Sequence, residues 1–113
     1  GLTTDLIEAQ FPELWTQWNV QPSRTHPPGA EPLAAVFERV DRLLERLATN
    51  EDLCLVTHGV VCQALAVRLM GLVPDAIFTI TQANGCVNAF ERGEPRPFVR
   101  ALNLTTHLSR EER

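Results

Sequence analysis

The residues of this chain best placed to do chemistry lie in Leu53-Cys54-Leu55-Val56-Thr57-His58-Gly59-Val60-Val61, where two apolar runs meet at Thr-His-Gly. The first run, Leu53 to Thr57, is aliphatic and β-branched, about the length of one strand, and reads as a buried strand. The second, Val60 to Leu72, is too long for a typical strand. It is followed closely by Gly71 and Pro74 and reads as a helix. His58 is therefore expected where a strand ends and a helix begins. Such a junction gathers unpaired backbone N–H groups and the positive end of a helix dipole, which suits an anion and phosphate above all. A histidine there would handle phosphate; the ordinary alternative is a ring hydrogen-bonded to nearby backbone.

Other reactive side chains form no comparable group. Cys54, Cys62 and Cys86 are irregularly spaced in runs that read as core, so they are expected to be buried, reduced thiols; a zinc site would need closer ligand pairs. No metal and no cofactor is expected. Arg24 and His26 fall in a Pro-rich loop and read as solvated, with substrate contact as the alternative. Glu31 is expected to accept hydrogen bonds from backbone amides before the next helix, Trp15 and Trp18 to pack, and His107 to lie at the surface or cap local backbone.

The elements that must position His58 follow from pattern. The 113 residues, 44% hydrophobic and 21% charged, are read as a single domain, 1–113, with Ser109 to Arg113 a frayed tail. A net charge of -4 supplies no basic field for nucleic acid. The apolar runs are too short and interrupted to span a bilayer, and no signal peptide is evident, so a cytoplasmic location is expected. Thr3-Thr4-Asp5 offers helix caps, with Glu8 at the capping-box distance from Asp5, and Pro12 should end that helix or start a new turn. Gln21 to Pro32 reads as an extended loop. Leu33, Val36, Phe37, Val40, Leu44 and Leu47 then form one helical stripe, while Glu38, Arg39, Asp41, Arg42, Glu45 and Arg46 form the solvated face, with Glu38 and Arg42 as an i,i+4 pair. Thr49 to Asp52 turns the chain into the strand. Ile77 to Thr81 reads as a strand or an irregular extended segment, Asn84-Gly85 as a tight turn, and Cys86 to Phe90 with Phe98 to Leu104 as a hairpin around the polar loop 91–97. Apolar nearly all round, helix 60–72 should be covered on most sides. The pattern is an α/β layered fold in the order helix-helix-strand-helix-(strand)-strand-strand.

Taken in order, these features resemble the histidine phosphatase superfamily, also called phosphoglycerate-mutase-like. Gly1-Leu2-Thr3 with Phe11-Pro12-Glu13 and Trp18 is similar to that family's mid-domain segment, and Pro28-Gly29-Ala30-Glu31 resembles its Pro-Gly-Gly-Glu-Ser loop. Leu55 to Val61 resembles its second active-site histidine motif. Asn84 to Val87 and Leu102 to Leu108 resemble its closing strands. The resemblance implies a partial phosphoglycerate-mutase-like sheet with flanking helices. It also implies a chemistry in which the histidine of an Arg-His-Gly motif attacks a phosphomonoester, becomes phosphohistidine, and passes the group to water or to a second substrate. His58 matches the second, supporting histidine, which donates hydrogen bonds to the phosphoryl oxygens, with the Gly59 amide as a further donor.

The departures are equally specific. The sequence contains no Arg-His-Gly; the segment that carries the nucleophile, the paired arginines and the acid–base carboxylate would precede Gly1. Val60 stands where many relatives have Gly or Asn, Gln63 where arginine is common, and the absence of Asp after His58 disfavours the acid-phosphatase branch. The chain thus looks like the C-terminal half of such an enzyme and is expected to be inactive alone. Its expected partners are a small phosphorylated metabolite or phosphate, together with the missing N-terminal half or a second copy in a homodimer. The rival reading is a non-catalytic binding or assembly module, because a sheet without its central neighbour leaves an open edge.

Overall fold

A computed structural model describes residues 1–47 and 51–111. The turn expected at Thr49-Asn50 and the last two residues of the tail lie outside the described residues. Helix α1 (Thr4–Gln10) ends before Pro12, and Pro12 opens α2 (Pro12–Val20) at a position where a missing N–H costs nothing. Thr3 is the N-cap of α1, and no side chain caps it, so the Asp5–Glu8 capping box does not form. A 3-10 turn, Pro22–Arg24, interrupts the loop expected over 21–32. It is anchored by the Ser23 amide, which donates to Asp75 Oδ1 at 2.9 Å across 52 residues of sequence and lowers the Asp75 pKa.

Helix α3 (Leu33–Arg46) buries Leu33, Val36, Phe37 and Val40, the first four positions of the predicted stripe. Helix α4 (Gly59–Met70) lies against it. The middle turn of α4, Ala64 to Val67, is buried on every side, as its all-round apolar composition requires, whereas its first two residues are less covered. Ala64 and Ala66 lose all solvent contact, and their small side chains admit close neighbours on both flanks. Asp41 on α3 receives the Arg68 guanidinium of α4 through two bonds of 2.8 and 3.0 Å, and the same guanidinium lies 4.4 Å from the Phe37 ring centroid. Asp41 and Phe37 thus meet one cation on the opposite helix. At its far end α4 stops at Gly71 in the left-handed region (φ 67°), with Leu72 N–H bonded to Val67 O, and Pro74 follows.

The segment read as a strand or irregular piece at 77–81 is largely a 3-10 helix, Pro74–Thr79, which drives Ile77 into the core. Gln63 of α4 donates to Ile80 O at 2.8 Å and satisfies backbone that a strand would otherwise pair. Strands β1 (Val87–Glu91) and β2 (Phe98–Leu104) form the expected antiparallel hairpin, in register Val87↔Leu104, Ala89↔Ala101, Phe90↔Val99 and Glu91↔Phe98. Two irregularities interrupt that register. Gly85 supplies the positive φ of 71° that the 83–86 turn needs. Asn88 and Gln82 exchange side-chain hydrogen bonds, Asn103 N–H donates to Asn88 Oδ1, and Asn103 Oδ1 accepts from Ala83 N–H. This amide cluster ties the turn to both strands. Phe90 and Leu102 then lean onto the helical core.

One central expectation is overturned. Residues 52–58 carry no regular secondary structure, and Leu53, Leu55 and Val56 are 48%, 44% and 95% exposed. A strand exists only against a ladder partner, and the sheet among the described residues is the two-stranded β1–β2 hairpin, which does not reach this run. Cys54 is accordingly exposed rather than buried, and Cys62 and Cys86 are half-covered; all three are free thiols. Partial burial, and secondarily Cys86, raise the Cys62 pKa. The α/β character stands, with its sheet confined to the hairpin.

The contrast between core and exposed run is measurable. Ile77→Ala should cost about 2–5 kcal/mol in urea unfolding, through lost transfer energy and a residual cavity. Val56→Ala should change stability by less than about 0.5 kcal/mol.

Candidate functional site

Gly59 begins α4, and its N-cap is His58 in extended backbone conformation (φ -96°, ψ 160°). The first intrahelical bond runs from Cys62 N–H to His58 O at 2.9 Å. The amides of Gly59, Val60 and Val61 precede it and are the helix's open first-turn donors. No side chain caps this end, and the His58 ring makes no hydrogen bond among the described residues. The ordinary alternative, a ring tied to nearby backbone, is therefore not what the structure holds. His58 is exposed and faces a cleft of about 390 Å³.

Four stretches of chain build that cleft. Thr57, His58, Val60 and Val61 form one wall, the N-terminal part of α3 gives Leu33, Val36 and Arg39, the preceding loop gives Pro27, Ala30 and Glu31, and α2 gives Trp18. The loop keeps its shape through Ala30 N–H bonded to Pro27 O at 3.1 Å and His26 Nε2 donating to Ala30 O at 2.9 Å. His26 is thus a loop fastener, and neither it nor Arg24 lines the cleft. Trp18 is held in place by the Phe78 ring, 5.4 Å away between centroids and tilted by 57°.

Glu31 does not serve backbone amides as expected. Its two carboxylate oxygens accept from Arg39 Nε at 2.9 Å and Arg39 Nη2 at 3.0 Å. The guanidinium lowers the Glu31 pKa, and the carboxylate raises that of Arg39. This bidentate pair is the cleft's charged rim, and its two charges offset, so the carboxylate does not repel an anion at His58. Spaced eight residues apart across a helix start, it has no helix-face signature in sequence. Trp18 is likewise a packing residue that also serves as a cleft wall, a role invisible to periodicity. His107 lies elsewhere, donating to Gly85 O at 2.8 Å. Among the described residues no three His, Cys, Asp or Glu side chains converge on a metal-sized site, and no helix is long and apolar enough to cross a membrane.

Comparison with known proteins places this geometry. The family model of the histidine phosphatase superfamily (branch 1) matches residues 1–105. Phosphoserine phosphatase 1 of Hydrogenobacter thermophilus is 26% identical over 111 residues, spanning 96% of this chain and 53% of that protein. Among solved structures, YhfR of Bacillus stearothermophilus superposes with a TM-score of 0.78 at 21% identity, over 96% of this chain and 56% of its own. The alpha-ribazole phosphatase of Shigella flexneri does so with a TM-score of 0.68 at 22% identity, over 88% and 51%. The chain spans about half the length of these relatives.

The rim pair has a titration signature. The Glu31 carboxyl should protonate below the ordinary carboxylate range in a carbon-detected NMR titration, and Arg39→Gln should return it to that range. Because the folded-state pKa is the lower one, the pair's contribution to stability is present above the unfolded value and is lost as pH falls through the folded one.

Proposed function

Since this chain belongs to the histidine phosphatase superfamily, we propose that it supplies the supporting-histidine half of a phosphomonoester site. The observation that carries the reading is His58, unbonded at the N-terminus of α4, on a cleft whose rim charges are mutually neutralised. His58 would donate to phosphoryl oxygens, the Gly59 amide would add a second donor, and the helix dipole would favour the anion. Relatives named as phosphoserine and alpha-ribazole phosphatases support small phosphorylated metabolites as the substrate class. The phosphoryl group would go to water in a phosphatase and to a second substrate in a mutase. The three free cysteines agree with a reducing, cytoplasmic setting.

Covalent transfer requires a nucleophile, and this sequence has no Arg-His-Gly. The chain by itself is thus proposed to bind phosphate without turning over esters. Inorganic phosphate should shift the His58 ring resonances saturably, and His58→Ala should weaken phosphate binding about tenfold or more, the worth of a hydrogen bond to a charged group. The purified chain should leave p-nitrophenyl phosphate intact; turnover that survives His58→Ala would overturn the assigned site.

A second reading rests on the exposed run 53–57. Its apolar side chains and unpaired backbone form a template for β association, whether with a complementary half-domain or with a second copy of this chain. Light scattering distinguishes the cases. A dimer that dissociates on Val56→Lys supports self-association, and a stable monomer at high concentration excludes it.

A further inference from the structure

The cleft beside His58 is chemically lopsided, and this bears on what is esterified to the phosphate. Apart from His58, the charged side chains on its wall are Glu31 and Arg39. Each already satisfies the other through two hydrogen bonds of 2.9 and 3.0 Å. The rest of the wall is chiefly apolar: the half-buried indole of Trp18, the buried side chains of Leu33 and Val36, and the valines that open α4. A zwitterionic alcohol such as serine would bring an ammonium and a carboxylate into this space. To pair them it would have to break the Glu31–Arg39 fork, and unpaired they would lose hydration without compensation. An uncharged planar group meets no such cost. It removes apolar wall from water and finds in Trp18 a ring already fixed by Phe78. At about 390 Å³ the cleft lies at the small end of ligand sites, enough for a phosphate and one ring system.

Resting on the phosphate-site reading above, we propose that this half-site selects phosphomonoesters whose alcohol portion is uncharged and aromatic, seated against Trp18, over those of charged amino-acid alcohols. Trp18 is then a specificity-determining residue, and the Glu31–Arg39 pair acts by withholding its charges from the ligand.

The test uses the chain as it is, with three probes: inorganic phosphate, O-phosphoserine and 1-naphthyl phosphate. His58 ring resonances report the phosphate end, and the Trp18 indole N–H resonance, assigned with Trp15→Phe, reports the other. Naphthyl phosphate should bind about tenfold more tightly than phosphate and shift both reporters, as expected for burying one ring system. O-phosphoserine should bind no more tightly than phosphate and leave the indole unmoved. Trp18→Leu should reduce the naphthyl-to-phosphate affinity ratio severalfold. Trp18 also packs on Phe78, so Val60→Ser at the exposed start of α4 gives a second variant, in which the same ratio should fall toward one. If phosphate shifts His58 but naphthyl phosphate gains nothing, or phosphoserine binds best, the selectivity is refuted while the phosphate site stands. If phosphate leaves His58 untouched, the site itself fails, and the selectivity fails with it.

Discussion

The packing of α4 between α3 and the Pro74–Thr79 segment is the constraint on which the other placements depend. Ala64 and Ala66 permit it by being small, and Val40, Val67 and Ile77 fill the space they leave. The Arg68 guanidinium, gripped by Asp41 and lying over Phe37, links the two helices at one point along the seam. Once this seam is formed, the N-terminus of α4 has a fixed direction, and His58 is carried to one defined place beside the start of α3. Disturbing the seam would therefore move the candidate site without touching any residue in it.

The cleft inherits its character from the chain's return path. The loop before α3 is closed by His26 on Ala30 O, which brings Glu31 within reach of Arg39 one helical face later. The α2 indole approaches from the other side because Phe78, at the far end of the fold's core, receives it. A supporting histidine, open helix amides, a neutralised rim and an aromatic wall thus arrive from four stretches separated by up to 43 positions, Trp18 to Val61. The arrangement favours binding an anion with an apolar attachment, and it contains no nucleophile positioned for covalent transfer.

Much of this was legible from residue pattern, and the failures share one cause. The stripe of α3, the Pro12 break, the Asn84-Gly85 turn and the hairpin are local or near-local features, and each formed as its spacing implied. The run 53–57 has every compositional mark of a buried strand yet lies exposed, because β structure is a property of two segments and composition describes one. Ile77 to Thr81 failed in the opposite sense: Pro74 and the Gln63 bond to Ile80 O supplied a helical turn where apolar residues alone suggested extension. Glu31 was read as a partner for nearby amides because its true partner lies eight residues on, beyond the reach of helix-face spacing.

The sequence by itself determined family, helical faces, turns and the position of His58 at a helix start, since all of these rest on residue type and on separations of a few residues. The tertiary structure alone decided that Trp18, Glu31 and Arg39 share a cleft with His58, that the rim charges cancel, and that residues 53–57 stay unpaired. Those outcomes depend on which distant surfaces meet, and burial, charge pairing and strand ladders are settled only by that meeting.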